Sequence, residues 1–321
     1  MLARALGTAL FGAVLAATGP VWAQAFSFVA LGDLPYGSVQ QAYPAYRRLI
    51  SAINQAQPAF SVHVGDIKSG GSLCSDEEFA SQRQHFDRFE QAVIYTPGDN
   101  EWTDCHRRSN GSYEPQERLQ ALRRLFFPSD RSLGAAPRAL QTQPSLMPEH
   151  AAYVENRRWW HQGVLFATVH IVGSNNNLQA DVPGALDEFR ARDAANIAWI
   201  RAAFETAHQG RARAVVLAMQ ANPLLGRNLF DEFPSSSGFR SSIAQTLLPL
   251  AAASPVPVLL IHGDSHRYRM DRPFRLKGQT IEQLTRLEVP GDSDVRACLV
   301  SVDLAQAQPF SVRLIEPIPE P

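Results

Sequence analysis

The chain has 321 residues, 45% of them hydrophobic and 19% charged, with Lys+Arg 30 against Asp+Glu 31 and a formal net charge of −1. That length supports one large domain with a substantial core, and the composition excludes a disordered or low-complexity chain. The near-neutral balance gives no support for the basic surface usual for nucleic-acid binding, leaving only a local basic groove at Arg107 and Arg108, so no nucleic acid is specifically indicated as partner.

Arg4 precedes a mostly apolar run over residues 5–17, followed by Thr18, Gly19 and Pro20. The run is shorter than the roughly 20 residues a membrane-crossing helix needs. Val21-Trp-Ala23 and Ala23-Gln-Ala25 suit signal-peptidase cleavage. Residues 1–25 therefore read as a secretory signal peptide, and the mature chain as exported to a bacterial periplasm or the medium, with no stable membrane span. No cysteine follows the run, so a lipid anchor is not expected.

Beyond the leader, strand patterns alternate with helical ones. The apolar stretch from Phe26 ends in Gly32-Asp33, then comes a turn-rich Leu34-Pro-Tyr-Gly37 and a helix over about 40–55. A strand at 60–64 ends in Gly65-Asp66, and Ser75 is placed to cap a helix opening on Asp76-Glu-Glu78. A strand at 92–96 runs into Gly98-Asp-Asn-Glu101. This β-α-β-α-β order implies parallel strands with right-handed crossovers. Residues 102–157, rich in Arg, Pro and Ser with a helix near 115–126, read as a cap-like insertion within a domain spanning 26–321. A hairpin follows at 159–173, with 164–172 as its clear strand. Next come a helix at 185–207, a strand at 214–218, a helix at 238–252 and a strand at 256–261 that leads into His262-Gly-Asp-Ser-His266. Three tail strands, at 285–289, 297–304 and 310–315, are expected to be antiparallel. Periodicity alone supports an α/β class.

Cys74 and Cys105 both follow motif strands; they either pair and brace the rim of the site or remain free thiols. Cys298, inside an apolar strand, reads as a buried free thiol. No Cys-x-x-Cys spacing exists, which argues against a cysteine-built zinc site.

Several apolar strands thus end in Gly-Asp, and an open α/β sheet places its ligands at the carboxyl ends of its strands. One such pair is a common turn. A row of them brings carboxylates to one edge, where cations must neutralise them. The order of the motifs from Asp33 to His266 resembles the calcineurin-like metallophosphoesterase superfamily. The pattern there is an Asp motif, Gly-Asp, Gly-Asn-His-Glu/Asp, a single His, and Gly-His-x-His. The resemblance implies a four-layer α/β/β/α sandwich of two mixed sheets flanked by helices. It also implies two divalent cations and hydrolysis of phosphate esters by a hydroxide held between them.

Carried over position by position, the resemblance makes Asp33 a ligand of the first metal, with Pro35 standing where a second ligand is usual. Asp66 becomes the carboxylate shared by both metals. Read without a gap, Asp99 replaces the ligand asparagine and Asn100 the catalytic histidine; shifted by one, Asn100 is the ligand and Glu101 replaces the histidine. Glu101 or His106 is then the substitute proton donor. Gln220 or Asn222 stands in for the single histidine, with His170 as another donor that reads better as a packed histidine. Asp264 and His266 take the last two ligand positions, and His262 would orient a ligand through its other ring nitrogen.

Where histidine is replaced by a polar residue it is by Asp, Asn or Gln, so an oxygen-rich set favours Mn, Fe or Mg over Zn. Arg107, Arg108, Arg157 and Arg158 are candidate phosphate clamps, Trp159 and Trp160 candidate stacking surfaces, and Asn175 a candidate substrate contact. The function expected is metal-dependent hydrolysis of a small phosphomonoester, phosphodiester or nucleotide. A non-catalytic ligand- or partner-binding protein of the same fold is the alternative.

Overall fold

The computed structural model describes residues 25–226 and 232–320. The leader expected at 1–25 lies, but for Ala25, outside the described residues. None of the described helices is long and apolar enough to cross a membrane.

Two mixed sheets face each other with helices on both outer sides. The first contains β1 (Phe26–Leu31), β2 (Ser61–His63), β3 (Val93–Tyr95), and, numbered last in the chain, β13 (Ala297–Val302) and β14 (Phe310–Ile315). Its order is β14-β13-β1-β2-β3, with β1, β2 and β3 parallel. The second contains β4 (Gln141–Thr142), β5 (Arg157–His161), β6 (Val164–Thr168), β7 (Ala214–Ala218), β8 (Val258–His262), β9 (Arg269–Asp271) and β12 (Leu284–Glu288). Its order is β4-β5-β6-β7-β8-β12-β9. A small hairpin of β10 (Arg275–Leu276) and β11 (Gln279–Thr280) stands apart.

Period-two alternation along the strands explains the layers, because successive side chains point to opposite faces. Phe28 and Ala30 of β1 face inward with Phe60 and Val62, against Phe166, Val216 and Ile261 of the second sheet. Val29 and Leu31 face outward onto helices α1 (Val39–Gln55), α2 (Asp76–Phe86) and α3 (Pro115–Phe126). On the far side, Leu217 and Leu260 pack under α4 (Ala185–Gln209) and α5 (Leu248–Ala252). Each fully buried Phe or Leu contributes about 1.5–3 kcal/mol, so a strand apolar on both faces is stable only between two covered layers. α1 meets its sheet through Tyr46, Leu49, Ile50 and Ile53, a helical stripe. α2 is capped as expected, by Ser75 accepting from Glu78 N.

Two expectations need correction. The strand expected at 285–289 does not join an antiparallel tail; β12 runs parallel to β8, with Glu288 opposite His262. The reason is burial on both faces, Leu284 packing outward and Leu287 inward. The strand expected at 164–172 stops at Thr168, because the His170 N–H is taken by the Asn156 side chain instead of a ladder. Within 102–157, Leu119, Leu122 and Phe126 seat α3 beside α2, in one cluster with Leu34, Trp102 and Cys105 of the loops that follow the strands.

Candidate metal centre

The carboxyl ends of β1, β2, β3, β7 and β8 meet at one edge. Asp33 N donates to Gly65 O at 3.0 Å, and Gly263 N to Gln220 O at 3.0 Å, tying the strand ends within each sheet. Across the sheets, Asp264 N donates to Asp33 Oδ1 at 3.0 Å. Small residues permit this crowding: a Cβ on Gly98 would collide with Asp66 Oδ1, and one on Gly263 with Asp33 Oδ2. The glycines of these two motifs therefore make room for the carboxylates of two others.

Asp33, Asp66 and His266 each offer a ligand atom within 4.8 Å of the others. Backbone conformation marks the same residues. Asp33, Asp66, Asp264 and His266 all adopt left-handed φ, at 52°, 52°, 78° and 60°. Non-glycine residues hold that conformation at a cost, and such positions concentrate at functional sites.

Electrostatics give the cluster its character. Burial, then the neighbouring Asp264 and Asp99, pushes the Asp33 carboxyl well above the usual range. Burial followed by Asp99, Glu101 and Asp33 does the same to Asp66. Asp264 is pushed up to about 7 by burial and Asp99, and Asp104 also to about 7 by the same two causes. The one lysine pressed against these acids, Lys68, spends its Nζ on Ser69 O. Buried acids that raise one another's pKa are acids waiting for cations. Asp99 Oδ1 is buried with no hydrogen-bond partner among the described residues, an acceptor free for one.

The GDNE loop packs around Asp66. Asn100 Nδ2 donates to Asp66 Oδ2 at 2.8 Å and to Tyr36 Oη at 2.5 Å, and Asn100 N to Asp66 Oδ1 at 3.2 Å. It holds Asp66, while Asp99 Oδ1 and Glu101 Oε2 are left without hydrogen-bond partners among the described residues. Glu101, expected as a proton donor, is fully buried behind the site. Its Oε1 accepts from Gly98 N, Tyr95 Oη and Asp66 N at 2.7, 2.8 and 3.1 Å. That makes it a brace for two loops, since three donors converge on one oxygen and none comes from the open side.

His106 stands half-buried on the neighbouring turn, its Nδ1 2.7 Å from Thr103 O. Arg107 lies at the rim, paired with Asp104 at 2.6 Å and donating to Ser174 Oγ at 3.1 Å, with Arg108 exposed beside it.

The amides after β7 already have partners within the protein. Gln220 Oε1 accepts from Gly173 N at 2.5 Å, and Asn222 Oδ1 from Leu224 N at 3.1 Å. Both oxygens therefore brace loops. Asn222 N does reach Asp264 Oδ2, at 2.9 Å. His262 is buried, its Nδ1 2.9 Å from Gly263 O, and burial lowers it to about 3. Asn175 is tied to another loop through Gly238 N and Ser236 O, at 2.8 and 3.0 Å. His170 sits away from the cluster, fully buried and 3.2 Å from Glu155. Arg157 and Arg158 are no clamps: Arg157 binds the carbonyls of Val154, Arg131 and Ser129, and Arg158 binds Gln141, Ala202 and Thr206. Trp159 is core, while Trp160 is partly exposed on the same strand.

Two residues of the site escape the motifs. Tyr36 donates to Asp66 Oδ2 at 2.7 Å, and its ring stands edge-on to His266 at 5.1 Å. The signal for it was a tyrosine three residues past Asp33, beside Pro35. Ser174, not Asn175, faces the acids, with Oγ 2.9 Å from Asp99 Oδ2 and 2.8 Å from Asp104 Oδ1. One hydroxyl proton cannot serve both, and Asp104 is the carboxyl able to bring its own.

Cys74 and Cys105, separated by 31 in sequence, form a disulfide that joins the loop after Asp66 to the loop after Asp99. Both sulfurs lie against Asn100 O, at 3.5 and 3.7 Å. A closed loop of this length stabilises by about 3–4 kcal/mol, chiefly by limiting the unfolded chain. A Cys74→Ser/Cys105→Ser variant is expected to melt several degrees lower and to bind metal more weakly, read by thermal melts with and without Mn²⁺. An unchanged melting temperature would mean that packing alone holds these loops.

No family model matches the chain, and no curated protein matches it in sequence. Solved structures match its fold. A dimetal phosphatase from Danio rerio superposes with a TM-score of 0.53 at 9% identity, over 91% of this chain and 99% of that one. Purple acid phosphatase PPD1 from yellow lupin (Lupinus luteus) seeds superposes with a TM-score of 0.50 at 12% identity, over 92% of this chain. The match spans 55% of the lupin protein. At such identities the likeness is one of fold, two mixed sheets flanked by helices.

Proposed function

We propose that this chain is a two-metal phosphoesterase of the calcineurin-like kind, exported from a bacterial cell and acting on small phosphate esters. The observation that carries the reading is the meeting of Asp33, Asp66 and His266 donor atoms within 4.8 Å of one another, among further buried acids. The names of the two fold neighbours, both phosphatases, point the same way.

The donor set fits divalent cations: Asp33, Asp66, Asp99, Asp264 and His266 would hold them, with oxygen ligands favouring Mn, Fe or Mg over Zn. When bound, the pair would supply Lewis acidity toward a phosphoryl group and acidify a water near neutrality. The chain's own residues do the rest. Tyr36 and Asn100 fix the orientation of Asp66 through its Oδ2. Arg107 at the rim offers guanidinium donors to phosphoryl oxygens, where developing charge needs them. His106, with Nδ1 held by Thr103 O, presents Nε2 as the group to return a proton to the leaving oxygen.

The test is metal content after equilibration with Mn²⁺ and desalting, together with hydrolysis of a phosphoester panel. About two ions per chain and turnover are expected. A folded protein that retains no metal would favour the second reading, a ligand- or partner-binding protein. The observation behind that reading is that Asn100 Nδ2 and Glu101 Oε1 are spent on internal bonds.

A pH dependence follows from the same acids. Metal-free Asp264 keeps its proton up to about 7, and a metal must displace it. Affinity for Mn²⁺ is therefore expected to fall as pH drops below that value, by about tenfold per unit for each proton released. Calorimetric titration across this range checks it; a pH-independent affinity would remove Asp264 from the ligand set.

A further inference from the structure

Beside the metal cluster lies a separate cavity of about 390 Å³. Asn222 and Ser265 line it, as do Arg267, Arg269 and Arg286. Its lining is continuous with the metal centre. Asn222 N bonds Asp264 Oδ2 at 2.9 Å, Asn222 Nδ2 bonds Ser265 Oγ at 2.6 Å, and Ser265 stands between Asp264 and His266 in the chain.

The charges do not cancel. Arg286, with 4% of its side chain exposed, forks onto Asp271 through two bonds of 2.7 Å and lies 3.9 Å from Glu288. Arg269, 40% exposed, is 3.8 Å from the same Glu288 Oε2, too far for a hydrogen bond. Glu288 is buried and committed through Oε1 to Ser265 at 2.5 Å, so it cannot swing out to meet either arginine. Arg267 is exposed, with no carboxylate paired to it among the described residues. Two acids thus face three guanidinium groups, and Arg267 and Arg269 keep donors free. Exposed arginines usually only meet water. Here β-sheet register fixes one of them, since Arg269 is the pairing partner of Glu288, and Leu224 and Pro273 give the cavity an apolar side.

Resting on the phosphoesterase reading, we propose that this cavity holds the far end of the substrate: a second phosphate group carried by the leaving alcohol. Arg267 and Arg269 take its oxygens in their forked geometry. Arg286 supplies positive potential behind them, and the Leu224–Pro273 side covers the carbon chain between the two phosphates. Hydrolysis then adds water across one P–O bond of a bisphosphate, releasing inorganic phosphate and an alcohol that retains the other phosphate.

The test compares kcat/KM for a series of alkanediol bisphosphates with that for the matching alkyl monophosphates. The wild-type protein is expected to prefer the bisphosphate by on the order of 10–100-fold at the best chain length, from contacts to a charged group. In the Arg267→Ala/Arg269→Ala variant the ratio falls toward one, chiefly through KM. No preference in the wild type, or one that survives the variant, overturns the proposal. Inorganic pyrophosphate binding to the metal-stripped full chain separates this from failure of the hydrolase reading. If no ester is cleaved but pyrophosphate binds and the variant binds it at least about tenfold more weakly, the subsite stands and the hydrolase reading falls. If esters are cleaved without preference and pyrophosphate binding ignores the arginines, the subsite alone falls.

Discussion

Asp66→Asn is expected to abolish Mn²⁺ retention and to lower phosphoester hydrolysis by on the order of a thousandfold or more, the scale of losing metal-borne stabilisation of the transition state. Asp66 is held by Tyr36 Oη, Asn100 N and Asn100 Nδ2. An asparagine can still accept through Oδ1, so the fold should survive. It also removes a negative charge from among Asp99, Glu101 and Asp33, which raise the pKa of Asp66 after burial does. The metal-free variant should therefore melt no lower than the metal-free wild type. The two diverge on adding Mn²⁺: a site filled at a hundred times its Kd stabilises by about 2.7 kcal/mol, and only the wild type should show that rise. Thermal melts with and without metal, beside elemental analysis, decide it. A variant that keeps its metals and its activity would remove the site from this edge of the sheets.

The second large effect is structural. Arg192→Ala is expected to cost about 3–5 kcal/mol, the range for breaking a buried ion pair on one side. Arg192 is fully buried on α4 and forks onto Glu188 at 2.7 and 3.1 Å. It also donates to His170 O, Asn176 Oδ1 and Asn176 O at 2.9, 2.6 and 3.0 Å, and lies over the Trp102 ring. Alanine would strand Glu188 and release the loop 174–177, whose residues hold left-handed φ between 47° and 62°. That loop carries Ser174 to Asp99. A fall in melting temperature of roughly 5–10 °C should follow, with weaker metal binding. Lysine should rescue little, since one ammonium cannot reproduce the fork. Pairing the change with Glu188→Gln should recover part of the loss in a double-mutant cycle. A loss under about 1 kcal/mol, the scale of a surface pair, would show that the loop is held by other contacts.

Much of the architecture was legible in the chain. The alternation of apolar strands with helices gave the α/β class, and Gly-Asp after a strand located Asp33, Asp66, Asp99 and Asp264 at strand ends. Both signals are local: a strand declares itself by period two, and a turn by the residues that tolerate it. Ser75 and the helix at Pro115–Phe126 were readable for the same reason.

What depended on the folded state was every choice made across distance. The Asp264 N–H meets Asp33 over a separation of 231 residues, and no periodicity encodes that contact. β12 lies beside β8 because both its faces find cover there, a matter of which layers exist rather than of its own five residues. Arg157 and Arg158 look like phosphate clamps in sequence, yet three backbone carbonyls from two chain segments claim Arg157 first. Tyr36 and Ser174 enter the site only because other strand ends bring acids to them. Sequence by itself determined the elements and where their acids stand along the chain. Tertiary packing decided which polar atoms are already satisfied and which are left free for a metal or a phosphate, because hydrogen-bond partners are set by proximity in space.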